Sequence, residues 1–104
     1  MGNKQSQQQQ KIQHIKTFND IKDQINSVVI SPDDKCIVIG TEDFDILIYG
    51  TEEPYPLIKQ LNDPTKCIWS LKFSYPNGKY LAAGCEDNNV YIYIISIKSN
   101  YLKS

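Results

Sequence analysis

The candidate reactive residues of this chain are mainly two pairs of acidic residues. Glu42 and Asp43 are adjacent, and the same pair recurs as Glu86 and Asp87. Acid-base catalysis needs a carboxyl group that faces a substrate and has an oriented partner or an apolar wall to set its pKa. Two acidic neighbours in a polar loop offer none of these. The pairs therefore do not predict an active site.

The sequence also lacks the residue pattern of a metal site and of a nucleophilic active site. Cys36, Cys67 and Cys85 show no C-x-x-C spacing, and the sole histidine, His14, lies in a glutamine-rich leader. A closed zinc site takes four ligands, and a serine nucleophile needs a base such as histidine within reach. No glycine-rich loop of the phosphate-binding type is present. We therefore expect a non-enzymatic protein with no catalytic residue, no metal and no cofactor.

The segments that hold these residues come from an internal duplication. Residues 15–31 return at an offset of 43, and residues 32–49 return at an offset of 44 after one inserted residue, Tyr75. The acidic pair returns, together with the glycine two residues before it and the tyrosine at the end of the run. A period in the forties is typical of blade-type repeats.

Each copy divides into short β-strands. Period-two alternation or a short apolar run marks each strand, and turns rich in Pro, Asp, Asn and Gly separate them. Trp69, Tyr91 and Tyr93 have strand spacing and are expected to pack between blades. No segment has a helical period, so the predicted class is an all-β antiparallel meander. The predicted strands are 15–18, 25–30, 36–40, 46–49, 57–61, 68–73, 80–84 and 90–95.

These strands divide the chain into four segments. Residues 1–13 form a polar, glutamine-rich leader that has too little apolar surface to order, so we expect it to be disordered. Residues 14–24 are expected to be the last strand of a preceding blade and a loop. The first repeat is predicted at 25–61, and the second at 62–104 with a partial last strand.

The leader also matches the N-myristoylation pattern, with Gly2 as the acceptor and Ser6 at the required position. One acyl chain binds a membrane only weakly, so we expect reversible membrane contact only if Gly2 is acylated. No apolar run reaches the roughly 20 residues of a spanning helix. The predicted location is the cytoplasm, with cytoskeletal or peripheral membrane attachment as alternatives.

The chain from 15 to 95 resembles the WD-repeat β-propeller family. The likeness lies in the turns S-P-D-D-K and S-Y-P-N-G-K and in the runs D-F-D-I-L-I-Y and D-N-N-V-Y-I-Y. It implies about two four-stranded antiparallel blades, a partial propeller, in which Asp43 and Asp87 are structural turn residues. Tyr49 and Tyr93 replace the terminal Trp of the family pattern, and the Gly-His pair is missing. We therefore expect the family's network of His, Ser/Thr, Asp and Trp to be incomplete.

In such a meander, the turn between strands two and three lies on the same side as the segment that leads into the next blade. That side gathers acidic and amide residues with one aromatic. One interpretation is a docking face for a basic or polar peptide, with Phe44 as a candidate anchor. The alternative is that the acidic residues only close their turns or solvate them. The candidate partner-binding residues are Glu42, Phe44, Asp45, Glu86, Asn88 and Asn89.

These features predict a protein-protein interaction module or scaffold. Propellers close with about four to eight blades, so the chain is expected to oligomerise or to be completed by other blades. The chain has 11 basic residues (Lys and Arg) and 12 acidic residues (Asp and Glu). This balance of charge argues against nucleic acid as a partner. The run D-N-N-V-Y-I-Y also resembles the echinoderm microtubule-associated protein-like group, which implies a cytoskeletal alternative with tubulin as partner. A truncated fragment without independent function is the third interpretation.

Overall fold

A computed structural model describes residues 10–97 of the chain. Three expectations fall outside these residues: disorder over most of the leader, lipidation of Gly2, and the partial strand that was predicted at the end of the second repeat. The described part consists of strands and loops.

Seven strands form two antiparallel sheets within residues 10–97. The sheet named blade 1 has the order β1-β2-β3-β4, and the sheet named blade 2 has the order β5-β6-β7. The all-β prediction is confirmed, and the two sheets, one of four strands and one of three, are consistent with partial WD blades. The strands are β1 (Ile25–Ile30), β2 (Cys36–Thr41), β3 (Ile46–Gly50), β4 (Leu57–Leu61), β5 (Ile68–Phe73), β6 (Tyr80–Cys85) and β7 (Val90–Ile94).

Equivalent turns follow the first strand of each blade. The turn after β1 places Asp34 at φ 63°, and the turn after β5 places Gly78 at φ 69°. Both amides donate back to the serine that opens the turn, Asp34 to Ser31 and Gly78 to Ser74, at 2.9 Å each. Asp and Gly tolerate the left-handed backbone better than most residues, so the two different turn sequences make the same reversal.

Residues 14–24 contain no strand in the structure, including the predicted segment 15–18. Their assignment to a preceding blade stays a prediction. A strand is held by a ladder of backbone hydrogen bonds to a neighbour, and residues 15–18 form no such ladder with the described strands. The apolar residues of this segment pack against blade 1 through their side chains instead. The Phe18 ring lies 4.6 Å from the Tyr49 ring, measured between centroids.

The main core lies between the two blades. One face of β2 and β3 packs against one face of blade 2, and a smaller cluster of Ile39, Leu47 and Tyr49 lies on the opposite face of blade 1, covered by Phe18 and Ile21. Strand alternation produces this division. The buried residues between the blades are Cys36, Val38, Ile46, Ile48, Ile68, Leu71, Phe73, Leu81, Ala83 and Cys85.

The aromatic residues behave differently from one another. Tyr91 and Tyr93 are partly buried and pack against the interblade core, as expected. Trp69 does not, since it is more than half exposed. The β5–β6 register shifts between Ile68 and Ser70, and this irregularity interrupts the alternation that would have turned Trp69 inward.

Candidate functional site

The structure brings the acidic turns and the segments that lead into the blades to one side of the sheets. The Glu42 amide donates to the Gln24 carbonyl at 2.9 Å, and the Glu86 amide donates to the Cys67 carbonyl at 2.9 Å. These are equivalent bonds in the two repeats, and each ties a turn to the segment that precedes its blade. We call residues 19–24, 41–45, 62–67 and 85–89 together the loop face.

In blade 1, Thr41 holds the acidic turn between β2 and β3. The buried Thr41 hydroxyl accepts from the amides of Asp43 at 3.2 Å and Asp45 at 3.3 Å. It also lies 3.3 Å from the Asp45 carbonyl, to which it can donate. The turn role predicted for the Asp43 side chain is thus filled here by the threonine, which the sequence argument missed.

In blade 2 the turn is held by Asp87. Its carboxylate accepts from the Asn89 amide at 3.0 Å, from the Tyr91 hydroxyl at 2.6 Å and from the Thr65 hydroxyl at 2.8 Å. These donors, led by the Tyr91 hydroxyl, hold the pKa of Asp87 well below its usual range, because they stabilise the ionised form. The same bond raises the pKa of Tyr91.

Substitutions between the repeats explain why the two turns differ. Leu47 stands at the repeat position of Tyr91, and Lys22 stands at that of Thr65. Neither can donate a hydroxyl to Asp43. Cys85 occupies the position of Thr41, and its Sγ lies 3.2 Å from the Lys66 carbonyl. Each repeat therefore closes its turn with one good oxygen acceptor, but from a different residue.

The Asp43 carboxylate lies in a cluster with Asp23 and Asp45. One oxygen of each carboxylate lies within 4.8 Å of the others. Partial burial raises the pKa of Asp23, and the negative charges of Asp43 and Asp45 raise it further. Carboxylate oxygens are the ligands that hard cations take, yet exposed acidic groups commonly cluster without one. The meander geometry placed Asp23 on the same acidic side as the turn, but Asp23 was not among the candidate partner-binding residues, because it is distant from the turn in sequence.

Cys67 joins the two turns across the loop face. Its Sγ lies 3.3 Å from the Glu42 carbonyl. Burial raises the pKa of the Cys67 thiol, and Glu86 and Glu42 raise it further. The thiol is therefore neutral at physiological pH and is a poor nucleophile.

The outer end of the loop face contains Asp63. The Tyr93 hydroxyl donates to its Oδ2 at 3.0 Å. The pKa of Tyr93 is raised by burial first and then by the bond and charge of Asp63. This bond connects the last strand of blade 2 to the segment between the blades.

Most of the predicted partner-binding residues are exposed on this face. Glu42, Phe44, Glu86, Asn88 and Asn89 are exposed, and Asp45 is partly buried. Phe44 is 43% exposed and has φ 71°, the same as its repeat equivalent Asn88. The face thus combines a cluster of carboxylates, with Lys22 beside Asp23, and a projecting aromatic ring.

The fold and the loop face define a class of protein. Two meander sheets of the same design stack through apolar faces and present equivalent loops on one side, which is the architecture of neighbouring propeller blades. The family model described as "WD domain, G-beta repeat" matches residues 12–49 and 55–93. The chain belongs to the WD40 repeat family.

Repeats of this family generally mediate protein-protein interactions. No curated protein matches the chain, and the resemblance to the echinoderm microtubule-associated protein-like group stays a prediction. Residues 10–97 contain no helix of the length and hydropathy needed to cross a membrane.

Proposed function

We propose that this chain is an interaction module whose loop face binds a basic segment of a protein partner. The observation that carries the proposal is the carboxylate cluster of Asp23, Asp43 and Asp45, within 4.8 Å, beside the exposed ring of Phe44. A lysine or arginine side chain supplies the opposite charge, and its apolar stem or a neighbouring residue supplies a contact for the ring.

The electrostatic part of the argument rests on like charges held together. Two unit charges about 4 Å apart repel by about 1 kcal/mol in bulk water and by more near a protein surface. The raised pKa of Asp23 is the expected result of partial burial and of this repulsion. A bound ammonium or guanidinium group would relieve the repulsion. Binding should therefore weaken as salt rises.

The second part of the argument is the conformation of Phe44. A left-handed backbone is costly for a bulky residue, and such strain is found more often at functional positions than elsewhere. Asparagine, which tolerates this conformation, stands at the equivalent position 88 with the same φ of 71°. The Phe44 ring is nevertheless 43% exposed in this conformation. This exposure is explained if the ring contacts a partner.

The test is calorimetric titration with short peptides rich in arginine and lysine, compared with glutamate-rich peptides of equal length. We expect binding of the basic peptides only, with affinity that falls as salt increases. Asp43→Asn combined with Asp45→Asn should weaken binding and reduce its salt dependence. Phe44→Asn should raise the dissociation constant about tenfold or more while it leaves the fold as stable or more stable.

Asp34→Asn is the matched control for charge. Asp34 is exposed in the turn at the other end of β2, away from the loop face, so its neutralisation should leave peptide binding unchanged. Equal binding of acidic and basic peptides would contradict the proposal. So would a loss of affinity in Asp34→Asn that equals the loss in the loop-face variants.

Association with microtubules is the second function that the repeats suggest, carried only by the D-N-N-V-Y-I-Y resemblance. Co-sedimentation with polymerised tubulin at low salt tests it. Absence of the chain from the pellet would remove this alternative and leave the peptide-binding proposal standing.

A further inference from the structure

The outer side of blade 2 is an open apolar sheet face. Val90, Ile92 and Ile94 on β7 are 68%, 59% and 68% exposed. The β6–β7 register places Ile92 beside Ala82 and Ile94 beside Tyr80, so these side chains form one continuous patch. Within residues 10–97 no element packs on it. We call this patch the blade 2 outer face.

The internal duplication shows which surface fits such a face. At the offset of 44, the blade 1 residues Val38, Ile46 and Ile48 are the equivalents of Ala82, Val90 and Ile92. All three blade 1 residues are at most 3% exposed, because they pack into the interblade core. The same sheet face is therefore buried in one repeat and bare in the other.

The partner surface in that interblade core is the inner face of blade 2, and the chain holds a second version of it. Leu71, Phe73, Leu81 and Ala83 form this inner face. Their repeat equivalents on blade 1 are all apolar, and they lie on the side of blade 1 that points away from blade 2. This set, the blade 1 outer face, consists of Val28, Ile30, Ile37 and Ile39.

Part of the blade 1 outer face is already covered by the N-terminal segment. Phe18 packs beside Ile39, at the repeat position of Leu61, which packs against the interblade core. The cover on blade 1 thus corresponds to a contact that exists inside the chain. It leaves Val28 and Ile30, the equivalents of Leu71 and Phe73, more than half exposed.

We propose that a second copy of this chain docks its blade 1 outer face onto the blade 2 outer face, head to tail. The contact repeats the packing that already joins the two blades within one chain. Within residues 10–97 each copy presents one uncovered face of each kind, so the contact is heterologous and propagates until a ring closes. Propellers of about four to eight blades correspond to about two to four copies.

A head-to-tail contact fits better than a pairing of two identical blade 2 faces. Lys72 lies on this side of blade 2, on the edge strand β5, next to Ala82 in the register. Two such faces brought together would place two ammonium groups in one interface. A head-to-tail contact includes only one, which can extend past the sheet edge to water.

The test is the molar mass of the 104-residue chain by light scattering over a range of concentrations. We expect a discrete assembly of about two to four copies. Ile92→Glu disables the blade 2 outer face, and Ile30→Glu disables the blade 1 outer face. Each should raise the dissociation constant at least tenfold and give monomers.

Mixing the two variants distinguishes a head-to-tail contact from a pairing of identical faces. The Ile92→Glu chain keeps a good blade 1 face and the Ile30→Glu chain keeps a good blade 2 face, so the mixture should form pairs that contain one of each. Ile12→Glu is the matched control, because Ile12 is exposed and lies outside both faces. It should assemble like the original chain, and circular dichroism should show that every variant is folded.

Three outcomes would overturn the proposal. The first is a chain that stays monomeric at every concentration. The second is an assembly that survives Ile30→Glu but not Ile92→Glu, which would indicate pairing of like faces. The third is a mixture of the two variants that remains monomeric although each is folded.

Discussion

The two aspartates at equivalent turn positions, Asp43 and Asp87, have different surroundings. Asp87 accepts from Tyr91 and Thr65, whereas Asp43 faces Asp23 and Asp45. The difference arises from single substitutions at the donor positions. One aspartate therefore stabilises its turn, and the other adds negative charge to the loop face.

Asp87→Asn is expected to lower the free energy of unfolding in a pH-dependent way. The folded-state pKa of Asp87 lies below its ordinary value, so the ionised group stabilises the fold above about pH 4. This stabilisation is lost as the pH falls through the folded-state pKa. Urea unfolding should therefore show a large gap between the original chain and Asp87→Asn at pH 7, and a narrowing gap below about pH 4.

Asp43→Asn is the matched control for this pH experiment. It removes the same charge from the equivalent position, but Thr41 still holds the turn. Its unfolding free energy should change less than that of Asp87→Asn at pH 7. Equal effects in the two variants, or a gap for Asp87→Asn that does not vary with pH, would refute the assignment.

At the level of the element, a serine holds the first hairpin turn of each blade through hydrogen bonds of its hydroxyl. Ser31 is 5% exposed, and its hydroxyl donates to Asp33 at 2.7 Å and accepts from the amides of Lys35 and Cys36 at 3.1 Å each. Its repeat equivalent, Ser74, is less buried and accepts from the Tyr80 amide at 3.1 Å. The turn of blade 1 thus depends more on its serine than the turn of blade 2 does.

Ser31→Ala should lower the free energy of unfolding by about 1–3 kcal/mol, because it removes the hydroxyl acceptor of the buried Cys36 amide. The Lys35 amide keeps an acceptor in the Asp33 carboxylate. Ser74→Ala should cost about 1 kcal/mol or less, since one bond is lost at a partly exposed position. Urea unfolding followed by circular dichroism measures both. A larger loss in Ser74→Ala than in Ser31→Ala would contradict this ranking of the two turns.

At the scale of the whole molecule, the contact between the blades is tight at Gly40. A Cβ atom at this position would lie 2.6 Å from the Ile68 Cγ2 atom across the interface and 2.9 Å from the Ser27 Oγ atom. At the equivalent Gly84, on the open side of blade 2, the Cβ would meet only the Ser70 Oγ atom, at 2.8 Å. The close approach of the two sheets is therefore the reason that glycine is needed at position 40.

Gly40→Ala should destabilise the fold by about 1–3 kcal/mol through overpacking. Gly84→Ala should cost less, because a serine side chain can rotate away. Both should be measured in the Ile92→Glu background by thermal or urea unfolding, so that assembly does not contribute. If Gly84→Ala destabilised the fold as much as Gly40→Ala, the interface at Gly40 would not be the cause.

The strands, the duplication and the family were all predictable from the order of the amino acids. Alternating apolar residues and Pro, Asp or Gly turns act over a few neighbouring residues, so strand ends were predicted to within about a residue from β1 to β7. Residues 15–18 have the same kind of pattern but pair with no strand within residues 10–97, because a strand-like pattern does not supply a pairing partner.

Which distant residues contact one another becomes visible only in the folded chain. Asp23 reaches Asp43, and Thr65 reaches Asp87, across separations that no local pattern encodes. The fold also decides that one copy of a repeated face is buried and the other bare, although both have the same apolar pattern. The physical reason is that burial depends on what packs against a strand, and the strand's own residues specify only which side is apolar.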